Sequence, residues 1–217
     1  YDEDLLNALD YVLVELRKRG MYAVIYLNNF WEWSGGMAQY VSWSMGNSFP
    51  NPIVDEKDIS AFLEYSARFY SIPSAMQAFR DYISMLVKRT NSITGVAYKD
   101  DPTIMSWQLA NEPRLGRPED TQPNRVSFLG WIRETANFIK ELDPNHLVST
   151  GSEGLIGSGL SEEIFLSAHE MVEIDYLTFH LWAYNWDWFD PKDEAATFPV
   201  AINKAKKYLE EHYGLAN

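Results

Sequence analysis

The residue with the clearest chemical promise is Glu112, in the run Trp107-Gln108-Leu109-Ala110-Asn111-Glu112-Pro113. Residues 104–109, Ile-Met-Ser-Trp-Gln-Leu, read as a short buried strand. Such a strand delivers the carboxyl to one end of a sheet. Pro113 has no N–H to donate, so it ends the pairing and fixes the turn. Asn111 can hydrogen-bond a hydroxyl beside the bond to be broken. Partial burial among aromatic rings is expected to raise the Glu112 pKa and keep the group protonated, as a general acid requires. The plain alternative is that Glu112 caps a helix.

Aromatic residues narrow the class of ligand. They make up 15% of the 217 residues, with 8 Trp and 13 Tyr. Most of the Phe and Tyr are expected in the core. The Trp residues cluster instead: Trp31, Trp33 and Trp43 in one group, Trp182, Trp186 and Trp188 in another, both beside Gly, Asn and Asp. Aromatics on loops serve recognition more often than packing. Flat apolar rings flanked by hydrogen-bonding groups suit sugars, which present C–H faces and hydroxyl edges. A net charge of −13 disfavours nucleic acid and anionic membrane, whose phosphates need Lys and Arg. With no cysteine, disulfides and thiolate metal sites are excluded. His146, His169 and His212 show no ligand spacing, so neither a metal nor a cofactor is expected.

The elements that must position these side chains follow from periodicity. Helical spacing covers 4–19, 74–90, 124–141 and 199–213, with a weaker helix over 161–169. Short apolar runs at 21–27, 104–109, 147–150 and 174–180 read as strands. Residues 28–58 read as one long loop. Strands alternating with helices imply a parallel sheet. Each strand ends in polar residues: Asn28-Asn29, Asn111-Glu112, Ser152-Glu153 and His180. Active sites of (β/α)8 barrels gather at the C-terminal ends of several strands. No Gly-x-Gly-x-x-Gly follows the first strand, and no phosphate-binding loop is present, so nucleotide-binding folds lose support. The expectation is an α/β TIM barrel of which residues 1–217 hold about half, as a single partial domain. Such an arc leaves open edges and an exposed inner face, so the chain alone should be poorly stable and prone to self-association.

At four segments the sequence resembles family 5 glycoside hydrolases, most closely their endo-β-1,4-mannanase subgroup. The segments are Leu27-Asn28-Asn29-Phe30-Trp31-Glu32-Trp33-Ser34-Gly35-Gly36-Met37-Ala38-Gln39-Tyr40, Leu109-Ala110-Asn111-Glu112-Pro113-Arg114, Ser149-Thr150-Gly151-Ser152-Glu153-Gly154, and Asp175-Tyr176-Leu177-Thr178-Phe179-His180-Leu181-Trp182. They occur in the family's order and span most of the chain. The resemblance implies that Glu112 is the acid/base, that Asn111 contacts the hydroxyl next to the anomeric carbon, and that His180 orders the carboxylates. It places Arg114 and Glu153 along the leaving-group subsites, and Phe30 or Trp31 stacked on sugar across the cleft. Trp182 stands where the family often has Tyr. On bland readings, Arg114 and Glu153 form a structural ion pair and His180 is a core histidine.

The resemblance also implies what this chain lacks. Retaining glycosidases use two carboxyl groups about 5–5.5 Å apart. In this family the nucleophile is a Glu ending strand 7, whereas the strands here correspond to 3 to 6. The implied activity is retaining, endo-acting hydrolysis of β-1,4-mannan, with the nucleophile outside this chain and the chain alone inactive. Its partners would be the polysaccharide and the missing barrel strands. Family habit implies an extracellular or periplasmic location. A β-1,4-glucan-cleaving enzyme and a non-catalytic carbohydrate-binding barrel are the alternatives.

Overall fold

The computed structural model describes residues 1–51 and 59–216. The part of the expected loop that falls on 52–58 lies outside the described residues. Helix α1 (Glu3–Lys18) leads into strand β1 (Ala23–Tyr26). Helices α2 (Gly36–Met45), α3 (Ile59–Ala67) and α4 (Pro73–Val87) follow, then strand β2 (Ile104–Gln108). Helix α5 (Thr121–Leu142), strand β3 (Leu147–Ser149), and helices α6 (Glu162–His169) and α7 (Glu194–Leu215) complete the order.

Local chemistry accounts for the helix ends. The Asp2 side chain accepts from the amides of Asp4 and Leu5, capping α1. Acidic residues sit in its first turn and Arg17 and Lys18 in its last, matching the helix dipole. Pro73 starts α4 with its φ already helical.

The three strands form a parallel sheet in the order β1-β2-β3. Register puts Ile25 beside Trp107 and Trp107 beside Val148. Trp107 and Val148 are fully buried in the core they share with the helices. The other face carries Val24, Tyr26 and Leu147, opposite Ser106 and Gln108. Val24 and Tyr26 are 43% and 55% exposed, so the β1 side of this face has no cover among the described residues, while Ser106 is buried and accepts from the Tyr176 hydroxyl. That is the open inner face expected of a partial barrel.

Two expectations need correction. The long loop after β1 contains helix α2, and an additional helix, α3, precedes α4. Residues 174–180 do not form a strand, although they run beside β3. The Asp175 amide donates to Val148 O at 2.9 Å and the His180 amide to Glu153 O at 3.2 Å. The Val148 amide, which a strand carbonyl would take, donates instead to the Asp175 carboxylate at 2.7 Å. Side-chain bonding thus breaks the ladder.

Away from the strand ends, a buried ionic cluster ties the sequence-distant parts together. Asp10 on α1 is fully buried and accepts from Arg89 Nη2 at 2.8 Å, the Ser92 amide at 3.0 Å and the Tyr98 hydroxyl. Burial pushes its pKa up, but these donors outweigh it and hold the carboxyl far below the usual range. Asp10 therefore contributes stability above the ordinary Asp range, and that stability is lost as pH falls through and below it. Asp10→Ala should cost on the order of 3 kcal/mol at pH 7, read by urea unfolding, because it takes the buried carboxylate from Arg89, the Ser92 amide and the Tyr98 hydroxyl at once. Asp10→Asn should also flatten the loss of stability below about pH 4.

Candidate active site

A cleft of 620 Å³ lies at the C-terminal ends of the strands. Glu112, Asn111, Arg114, Glu153, Trp31, Trp33 and Trp182 contribute to its lining. Glu112 sits four residues beyond β2 and is held by its backbone: its amide donates to Gly151 O at 3.0 Å. The residue adopts φ +50°, a left-handed conformation costing a non-glycine residue on the order of 1 kcal/mol or more. Strain of this kind gathers where a side chain must be aimed.

Three N–H donors converge on the Glu112 carboxylate. Trp31 Nε1 donates to Oε2 at 2.6 Å, and Trp182 Nε1 donates to Oε1 at 3.0 Å. His180 Nδ1 lies 2.6 Å from Oε1 and donates to it when the carboxyl is ionised. The three come from the loop after β1 and from the segment beyond β3. Burial pushes the Glu112 pKa up, but His180, Trp31 and Trp182 pull it further down. The net direction corrects the expected raised pKa: with these residues alone, the group is held ionised.

Other residues fall out as follows. The Asn111 amide donates to Asn28 O at 2.9 Å, and its Nδ2 donates to Asn29 Oδ1 at 3.1 Å, fixing it beside Glu112. Arg114 Nη2 pairs with Glu153 Oε1 at 2.6 Å. The guanidinium also lies over the Trp31 ring, 4.8 Å from its centroid. Glu153 is 1% exposed. Burial raises its pKa, helped by the nearby Glu112 charge and opposed by Arg114. The Arg114–Glu153 pair is thus both an ion pair and part of the cleft wall. Among the described residues no group of His, Asp and Glu could hold a metal ion, and no helix is long and apolar enough to cross a membrane.

Of the two aromatics expected to stack on sugar, Phe30 does not reach the cleft and Trp31 lines it. Phe30 is fully buried, packed edge-on with Phe62 and Trp31, behind the residues that line the cleft. Trp31 stacks with Trp33 and with Phe62, lies against the Arg114 guanidinium, and turns its N–H edge to Glu112. The exposed ring is Trp33, which lines the cleft at 64% exposure. It belongs to the tryptophan cluster evident in the sequence, but spacing alone did not separate it from Trp31. The cleft also includes Ile59, Ile156, Asn185 and Trp186. Ile59 and Ile156 carry no chemical signature that a sequence could display.

A family model described as GH family 5 beta-mannosidase-like matches residues 1–217. The chain belongs to glycoside hydrolase family 5. Tomato mannan endo-1,4-beta-mannosidase 1 is 35% identical over 197 residues, which cover 86% of this chain and 46% of that protein. The family 5 mannosidase of Rhizomucor miehei superposes with a TM-score of 0.87 at 39% identity, covering all of this chain and 49% of that one. The endo-1,4-beta-D-mannanase of Thermotoga petrophila gives a TM-score of 0.70 at 29% identity, covering 94% of this chain and 55% of that one. The Rhizomucor enzyme has also been solved as a glutamate-to-alanine mutant in complex with mannosyl-fructose. This chain spans about half the length of the family 5 relatives it matches. Its three parallel strands and their helices correspond to about half of a family 5 TIM barrel.

Trp31→Phe removes one donor from Glu112 while keeping a ring in the stack. The Glu112 pKa should move upward, followed by NMR titration of labelled glutamate side chains, and stability at neutral pH should fall by roughly 1.5–3 kcal/mol. Because the folded-state pKa is depressed, this contribution exists above the ordinary Glu range and vanishes as pH falls through it.

Proposed function

We propose that this chain supplies the acid/base half of a retaining β-mannoside hydrolase acting on β-1,4-mannan. The observation that carries the reading is Glu112, strained and buried at the cleft, with three aimed N–H donors. Glu112 gives its proton to the leaving oxygen, then takes one from the water that releases the sugar. The nucleophilic glutamate lies on a strand outside this chain. Its negative charge, about 5–5.5 Å away, opposes ionisation of Glu112 and restores the raised pKa that an acid needs. Asn111 contacts the hydroxyl beside the anomeric carbon, and His180 fixes the Glu112 carboxyl. Arg114 and Glu153 bind the leaving-group side of the substrate. Trp182 serves both Glu112 and the sugar, its indole N–H replacing a phenol. A polymeric substrate outside the cell would require export.

A second reading has its own support. The matching family model is described as β-mannosidase-like, and the 39%-identical structure is a mannosidase. On that reading the substrate is a short mannoside instead of a polymer.

The deciding assay is sugar release from galactomannan, mannobiose, cellulose and xylan by the complete protein. Mannan cleavage should fall about 10²–10⁴-fold in Glu112→Gln. Residues 1–217 alone should be inactive. Cleavage of mannobiose but not galactomannan would select the mannosidase reading. Activity in residues 1–217 alone would place a nucleophile inside this chain and overturn the split site. Trp33→Ala should raise KM for mannan roughly three- to ten-fold with kcat nearly unchanged, consistent with loss of one stacking contact.

A further inference from the structure

A second cavity, of 450 Å³, adjoins the cleft. Arg114 and Ile156 line both, so the two spaces meet at the Arg114 side chain. The rest of its wall is mostly apolar, from Leu63, Leu115, Pro118 and Leu160 and three glycines, with Arg117 and Thr121 as its polar members. Arg114 Nε is buried there and finds no hydrogen-bond partner among the described residues.

The wall is built in place. Asn124 Nδ2 donates to Leu115 O at 2.6 Å, and the Tyr70 hydroxyl donates to Arg114 O at 2.9 Å. Arg117 is clamped by both Asp120 carboxylate oxygens at 2.9 Å. Gly159 passes so close to Thr121 that a Cβ there would lie 2.5 Å from Oγ1.

Leu160 is the unexpected member. It is 75% exposed and sits at φ +59°. Gly or Asn would occupy that left-handed position without comparable strain, and a polar side chain would suit the exposure. Leu160 thus adds an exposed apolar surface to the cavity wall, held in a strained backbone conformation.

We infer that this cavity receives an apolar aglycone, an alkyl or aryl group on the leaving side of the substrate. The inference rests on the β-mannoside reading of the adjoining cleft. With Arg117 already held by Asp120, a sugar would find only Arg114 and Thr121 to replace the hydration of its several hydroxyls against walls that are otherwise apolar. An alkyl chain gains by burial there. In a glycoside such a group is attached at the anomeric carbon, which places it past the scissile bond.

The test is calorimetric titration of the complete protein as Glu112→Gln, so that nothing turns over. Methyl and hexyl β-mannobioside are the probes, with methyl and hexyl β-cellobioside as controls. The hexyl mannoside should bind about ten-fold tighter than the methyl one. Adding Leu160→Asn should shrink that gap to about two-fold or less with methyl binding unchanged. The melting temperature should hold or rise, because Asn tolerates φ +59°. Leu63→Ala should also narrow the gap. Equal binding of hexyl and methyl mannosides overturns the aglycone site and leaves the mannoside reading intact. A hexyl gap that survives both substitutions also overturns it. An equal gap and equal affinity in the cellobiosides upholds the cavity but removes the mannose assignment.

Discussion

A carboxyl group buried at the end of β2 must be met by donors that its own strand cannot supply. Trp31 follows β1, while His180 and Trp182 follow the segment packed beside β3. The parallel order β1-β2-β3 is what brings these regions to Glu112 from both sides. Shifting β2 by one residue against β1 would move Trp107 out of the core and turn Glu112 from its partners. The buried Trp107, whose Nε1 donates to Asp143 at 2.7 Å, makes that shift costly. Core packing and site geometry are therefore one constraint.

The same arrangement explains why the Glu112 carboxyl is held ionised. Burial pushes the group's pKa up, and the three donors outweigh it. Glu153 shows the opposite balance, with burial and the Glu112 charge prevailing over Arg114. Two glutamates at neighbouring strand ends are thus driven in opposite directions by the number of donors each meets. The exposed Val24 and Tyr26 face shows where further strands would pack, and the half-length match to family 5 barrels agrees with it.

Much of this was legible in the sequence because it rests on local pattern. The runs around Ile25, Trp107 and Val148 are short, apolar and bounded by turns, and all three became strands. Glu112 and His180 stood at the ends of such runs. Less was legible where side chains override backbone pattern. Residues 174–180 read as a strand, but the Asp175 carboxylate takes the amide that a carbonyl would have bonded. Helix α2 was hidden by Gly35, Gly36 and Gly46 at its ends and by Trp43, which resemble loop composition. The choice between Phe30 and Trp31 depends on which ring faces the cleft, and two adjacent aromatics give no period to decide it, nor to point to Trp33 two residues on. The direction of the Glu112 pKa depends on counting donors from distant segments, which no local spacing encodes.

The central claim is that Glu112 is the acid/base and that the nucleophile lies elsewhere. The most direct measurement is azide rescue of the complete protein as Glu112→Ala, with an aryl β-mannoside bearing a good leaving group. With the acid/base removed, azide attacks the covalent intermediate from the face that water would use, so β-mannosyl azide should form. α-Mannosyl azide would instead mean that Glu112 is itself the nucleophile, and the assignment of roles built on its position would be wrong.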